Sequence, residues 1–130
     1  MFPLTDEIKQ VLDLTDLVLL DIKHIDDTKC INLVGSSNKL ELEFAKYLSD
    51  HNIKMWIRQV IVPGITDEEN DLVKLKEFIH SLKTVEKVEL HPYHTMGVFK
   101  WENLGLEYPL KDVREANEDD IKRAKRILEI

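Results

Sequence analysis

Three short runs of aliphatic, β-branched and aromatic residues, separated by segments of helical periodicity, constrain this chain more than any other feature. They are "DLVLLDI" (residues 16–22), "IKMWIRQVIVPG" (53–64) and "VEKVELHPYH" (85–94). The first is a continuous apolar run of strand length, as expected of a buried strand. Pro63-Gly64 stops the second. Strands that alternate with helices pair in parallel through right-handed crossovers.

The segments between supply the helices. "PLTDEIKQVLDLT" (3–15) spaces Ile8, Val11 and Leu12 for one helical face, with Thr5 or Asp6 as its cap. "SSNKLELEFAKYLSDHN" (36–52) carries Leu40, Phe44, Tyr47 and Leu48, and Ser37 or Asn38 is the expected cap. "TDEENDLVKLKEFIHSLK" (66–83) sets Thr66 three residues before Glu69, a capping-box spacing, ahead of Leu72, Leu75, Phe78, Ile79 and Leu82. Residues 95–116, "TMGVFKWENLGLEYPLKDVREA", read as a long irregular loop. "NEDDIKRAKRILEI" (117–130) is a helix capped by Asn117, with acid in its first turn and base later, as the helix dipole favours. The expected fold is α/β, an open sheet or a piece of a (β/α) barrel. Three parallel strands leave two unpaired edges, and such strands normally sit inside larger sheets, so the pattern points to part of something larger.

Composition narrows the function classes. A chain of 130 residues can bury one core. Its net charge of −7 argues against broad nucleic-acid or anionic-membrane binding, which needs a basic face. No stretch approaches the roughly 20 apolar residues that span a bilayer, and the start, "MFPLTDEIKQ", lacks the basic region of a signal peptide. The single cysteine, Cys30, forms no internal disulfide and cannot hold a thiolate cluster alone. A reducing cytoplasm is the expected location.

Parallel α/β folds gather chemistry at the C-terminal ends of their strands. There the first run ends in Asp21, Lys23 and His24, the second carries Arg58, and the third ends in His91, Tyr93 and His94. Residues two apart share a strand face, so Asp21 and Lys23 point the same way as Leu17 and Leu19, inward if the sheet belongs to a barrel. The pattern leaves open whether Asp21 and Lys23 form a simple ion pair or a site, and whether Arg58 is a surface group. His91 and His94, three apart, fall on opposite faces, which weakens a shared-metal reading. No GxGxxG, GxxxxGK or HExxH spacing is present.

Several strings, taken in order, carry a resemblance. "TDLVLLDIKHID", "NLVGSSN", "LEFAKYLSDHNIKMWIRQVIVPGITDEEND", "VEKVELHPYH" and "KWENLGLEYPL" closely resemble the C-terminal half of the pyruvate formate-lyase activating enzyme family. Those are radical S-adenosylmethionine enzymes that install a glycyl radical on a partner. The resemblance implies a partial (β/α) barrel with three parallel strands and flanking helices. Residues 1–130 would form a single partial radical S-adenosylmethionine domain, its last three βα units, with a substrate-lip loop at about 95–112 around Trp101 and Tyr108. It implies that Asp21 lies beside a monovalent cation at the S-adenosylmethionine carboxylate, with Leu19 supplying backbone there. Lys23 and His94 would contact the bound S-adenosylmethionine, and Arg58 would lie nearby, toward the substrate peptide. It also implies a [4Fe–4S] cluster, but the family's CxxxCxxC motif is absent from this chain. The expectation is therefore a fragment or a truncated product, inactive by itself. Its partner would be pyruvate formate-lyase or another glycyl-radical enzyme. Open sheet edges make a non-catalytic binding module or a self-associating half barrel the competing readings.

Overall fold

The computed structural model describes residues 4–94 and 113–130. Its elements are α1 (Asp6–Asp13), β1 (Leu17–Asp21), α2 (Asp27–Val34), α3 (Lys39–Asp50), β2 (Lys54–Ile61), α4 (Glu69–His80), β3 (Val85–Pro92) and α5, Glu118–Leu128. The strands form one parallel sheet in the order β1-β2-β3. Neighbouring parallel strands that follow one another in sequence, joined by crossovers of one hand, carry all their helices on one face. That is the layout of a barrel segment, as expected from the sequence. A doubly wound sheet would be covered on both faces.

The covered face forms the core. Leu20 of β1, Ile22 just after it, and Met55, Ile57 and Ile61 from β2 pack with Leu48 of α3, Leu72 and Leu75 of α4, and Ala124 and Leu128 of α5. Met55, Ile57 and Ile61 are wholly buried, and each such side chain contributes about 1.5–3 kcal/mol. A bulge orients β3. Met55 pairs with Val85 but Trp56 pairs with Lys87, which leaves Glu86 as an extra residue. One extra residue swaps the two faces of a strand. Val88 and Leu90 therefore join the core, and Lys87, Glu89 and His91 face away from it.

The helix ends show where local reading holds and where it fails. Thr5 caps α1 by accepting from the Ile8 N–H, and Asn117 with Asp120 closes a full capping box on α5. The expected capping box at Thr66 and Glu69 does not form. Glu68 occupies the cap position of α4 without a side-chain bond, and Thr66 serves the preceding turn. Asn38 stands at the start of α3, but its amide turns back to the carbonyls of His24 and Ile25 instead of capping the helix. The helix α2 was not expected. Its signals were Asp26, which caps it through the Lys29 N–H, and Gly35, which ends it at φ 79°, a left-handed conformation that glycine adopts without strain. Among the described residues, no helix is long and apolar enough to cross a membrane.

Candidate functional site

The uncovered face of the sheet carries a row of charge. Register sets Asp21 beside Arg58 and Arg58 beside Glu89, one residue from each strand at the same level. Arg58 Nε lies 3.5 Å from Asp21 Oδ1 and 4.0 Å from Glu89 Oε2. Nε is buried and makes no hydrogen bond to a described residue, so this donor is held by charge alone. Glu89 also receives Lys87 at 3.4 Å and His91 Nε2 at 3.1 Å. Desolvation pushes the Glu89 carboxyl up, and the hydrogen bonds from Lys87 and His91 outweigh it, so its pKa falls below the ordinary carboxylate value. A carboxylate only accepts, so the ring proton of a neutral His91 belongs on Nε2. One level below, the Lys87 ammonium sits 4.8 Å from the centroid of the Trp56 ring, a cation–π contact.

Above this row, at the C-terminal ends of the strands, lies a pocket of about 330 Å³. That is the low end of the range for small-molecule sites. Asp21, Lys23, Arg58, Thr66 and His91 supply its polar groups, and Ile22, Leu33, Val60 and Val62 its apolar wall. Two cations, one carboxylate and an imidazole beside an aliphatic surface suit a ligand that bears an anionic head on a larger organic body.

The pocket wall after β2 is built by a tight turn. Pro63 and Gly64 occupy its centre, Gly64 has φ 77°, and the Ile65 N–H returns to the Val62 carbonyl at 3.0 Å. This is the backbone of a type II turn, for which proline then glycine is the favoured pair. Thr66 locks it: its hydroxyl accepts from the Val62 N–H at 2.7 Å and donates to the Val60 carbonyl at 2.8 Å. The turn thereby holds Val60, Val62 and Thr66 as one side of the pocket.

Of the residues singled out in the sequence, Asp21, Lys23, Arg58 and His91 converge on this pocket. Asp21 pairs with Arg58, not with Lys23. Arg58 sits on the central strand, so it is not a sheet-edge residue. Leu19 lies on the same open face and is 51% exposed. His94 is exposed beyond the end of β3 and does not line the pocket, where His91 does. The loop expected at 95–112, with Trp101 and Tyr108, lies outside the described residues. Glu89 was not singled out, because its place in the row depends on the bulge at Glu86.

No family model matches the chain. A curated pyruvate formate-lyase-activating enzyme of Staphylococcus epidermidis (strain ATCC 12228 / FDA PCI 1200) is 54% identical over 112 residues, covering 86% of this chain and 45% of that protein. The enzyme of the same name from Staphylococcus aureus (strain USA300) is 53% identical over 112 residues, with the same coverage. The chain is a homologue of the pyruvate formate-lyase-activating enzymes. It spans about half the length of the curated relatives it matches. The crystal structure of a domain of pyruvate-formate lyase-activating enzyme from Bacteroides vulgatus ATCC 8482 matches with a TM-score of 0.77 at 21% identity, over 96% of this chain and 69% of that one. That likeness carries the fold, and it agrees with the partial barrel built by β1, β2 and β3.

Proposed function

We propose that this chain is the S-adenosylmethionine-facing and partner-facing portion of a radical S-adenosylmethionine enzyme that generates a glycyl radical on pyruvate formate-lyase. Residues 1–130 are then one partial domain of that enzyme. The observation that carries the reading is the 54% identity over 112 residues to an activating enzyme of that name. The charged pocket at the strand ends supports it.

The residues present fit S-adenosylmethionine in part. Lys23 and Arg58 are cations beside an apolar wall, suited to an amino-acid carboxylate and the organic body behind it. Among the described residues, Arg58 Nε also retains an unused donor. When bound, S-adenosylmethionine would undergo the carbon–sulfur cleavage from which the partner's radical derives, with the electron supplied by a reduced [4Fe–4S] cluster and not by this chain's residues. This chain's residues would bind and orient it: Lys23 and Arg58 at the carboxylate, and Val60 and Val62 against its body. His94, exposed just beyond the end of β3, would reach the ligand from the rim. Asp21 and the backbone of Leu19 would serve a monovalent cation there, and Asp21 already meets Arg58 at 3.5 Å. Among the described residues no group of three His, Cys, Asp or Glu could hold a metal ion, so further ligands would come from beyond them.

The iron–sulfur cluster does not fit this chain. Cys30 is its sole cysteine and is wholly buried, and burial pushes its thiol pKa up, away from the thiolate that a cluster needs. No step through the cluster is assigned to these residues, and the isolated chain is expected to be inactive.

The test joins this chain to the remaining portion of the Staphylococcus epidermidis relative, with cluster and reductant supplied. S-adenosylmethionine cleavage to 5′-deoxyadenosine, together with a glycyl-radical signal on pyruvate formate-lyase, is the expected result. A cluster-loaded chimera that leaves the partner radical-free would overturn the reading. A second reading, self-association of the open sheet, is favoured by Leu17, Leu19 and Val60, exposed by 38%, 51% and 41%. Sedimentation of the isolated chain as a clean monomer at high concentration would exclude it.

A further inference from the structure

We propose that His24 is the positioning residue of this pocket: a neutral imidazole that ties three of the pocket's walls together without lining it. The inference rests on the pocket being the ligand site described above. His24 is 1% exposed and lies three residues past the end of β1. Its Nδ1 accepts from the Asp26 N–H at 3.1 Å. A ring nitrogen that accepts carries no proton, so the proton of the neutral ring is on Nε2, which donates to the Ile65 carbonyl at 2.8 Å. The His24 carbonyl in turn accepts from the Asn38 amide at 3.0 Å. Beyond Nε2, Asp71 Oδ2 stands 3.8 Å away, itself held by Lys29 at 2.6 Å.

Each bond reaches a different wall. The residue before His24 is Lys23, which lines the pocket just beyond the end of β1. Asp26 is the cap of α2, the helix that presents Leu33 to the pocket. Ile65 precedes Thr66, the lock on the turn that carries Val60 and Val62. A buried imidazole is tolerated only when both nitrogens are satisfied, and here both partners lie on separate segments. The ring therefore sets the distance between the Lys23 wall, the α2 wall and the turn. An apolar residue of equal size would fill the space and leave the Asp26 N–H without its partner.

The test uses the full chain with His24→Gln and His24→Phe. A glutamine amide can still donate to the Ile65 carbonyl, and phenylalanine keeps the volume but makes neither bond. Nitrogen-15 spectra of the histidine ring should show the neutral Nε2–H form for His24. His24→Phe should move the amide resonances of Lys23, Leu33 and Thr66 together, and His24→Gln should restore them. With S-adenosylmethionine as the probe, His24→Phe should bind about tenfold more weakly and His24→Gln within about twofold of the parent, because phenylalanine loses both ring hydrogen bonds and glutamine keeps the one to Ile65. An Nδ1–H ring, or a His24→Phe variant with unmoved pocket amides and unchanged affinity, would overturn the proposal. So would a His24→Gln chain whose Lys23, Leu33 and Thr66 amides are all displaced from their parent positions, a comparison that needs only the parent and stands even if His24→Phe does not fold. A parent chain that shows no S-adenosylmethionine binding would count against the ligand reading, and the amide comparison would then decide the role of His24 by itself.

Discussion

The two faces of one sheet differ more than any two elements of the molecule. On the covered face Met55, Ile57 and Ile61 of β2 are wholly buried. On the other, the same strand shows Trp56, Arg58 and Val60, with Arg58 set between carboxylates from both neighbouring strands. Alternation along a strand separates these roles residue by residue. One face carries the hydrophobic stabilisation. The other carries mixed charge, an Arg58 donor unused among the described residues, and the pocket, which a core would not tolerate.

Substitutions can sharpen or break this contrast. The largest effect is expected at Ile57→Ala, which should cost about 3 kcal/mol in denaturant unfolding, as truncation in a filled core does. Leu19→Ala, on the open face, should cost less than about 1 kcal/mol, and an equal loss would show that the open face is covered in solution. Next comes Thr66→Val. It leaves the buried Val62 N–H without an acceptor and should cost about 2 kcal/mol. It should also loosen the pocket wall, visible as faster amide exchange at Ile65.

Asn117→Ala should cost about 1 kcal/mol through the lost cap of α5. The same cap gives a pH signature. Arg114, and then the Asn117 N–H, hold the Asp120 carboxyl at about 2, below its ordinary 3.8. A depressed carboxyl stabilises the fold fully above its unfolded value and stops doing so as pH falls through the folded one. The seating of α5 should therefore weaken between about pH 4 and pH 2, and Asp120→Asn should flatten that part of the unfolding curve. The smallest stability change is expected for Arg58→Leu, under about 1 kcal/mol, because exposed or half-exposed ion pairs contribute little.

Much of this arrangement was legible from the residues. Strand-forming runs and helical stripes give the order of elements, and alternation puts Asp21 and Lys23 on one face. His24 reads in the sequence as a third strand-end group beside Asp21 and Lys23, and its burial emerges only in the fold, where both ring nitrogens find backbone partners. What could not be read depends on register and on competition for hydrogen bonds. The bulge at Glu86 decides that Glu89 and His91 face Arg58, and no local pattern marks it. Thr66 has the spacing of a cap, but the turn at Pro63-Gly64 offers its hydroxyl two backbone partners and prevails. The helix α2 is short, and Asp26 and Gly35, its punctuation, were the only strong signs of it.

The central claim is that the open face is the working face. Its most direct test is the rate of 5′-deoxyadenosine formation by the chimera carrying Arg58→Leu, measured beside its melting temperature. The account predicts a rate at least about tenfold lower with an essentially unchanged melting temperature, the sign of lost ligand orientation in an intact fold. An unchanged rate in a stable protein would contradict it.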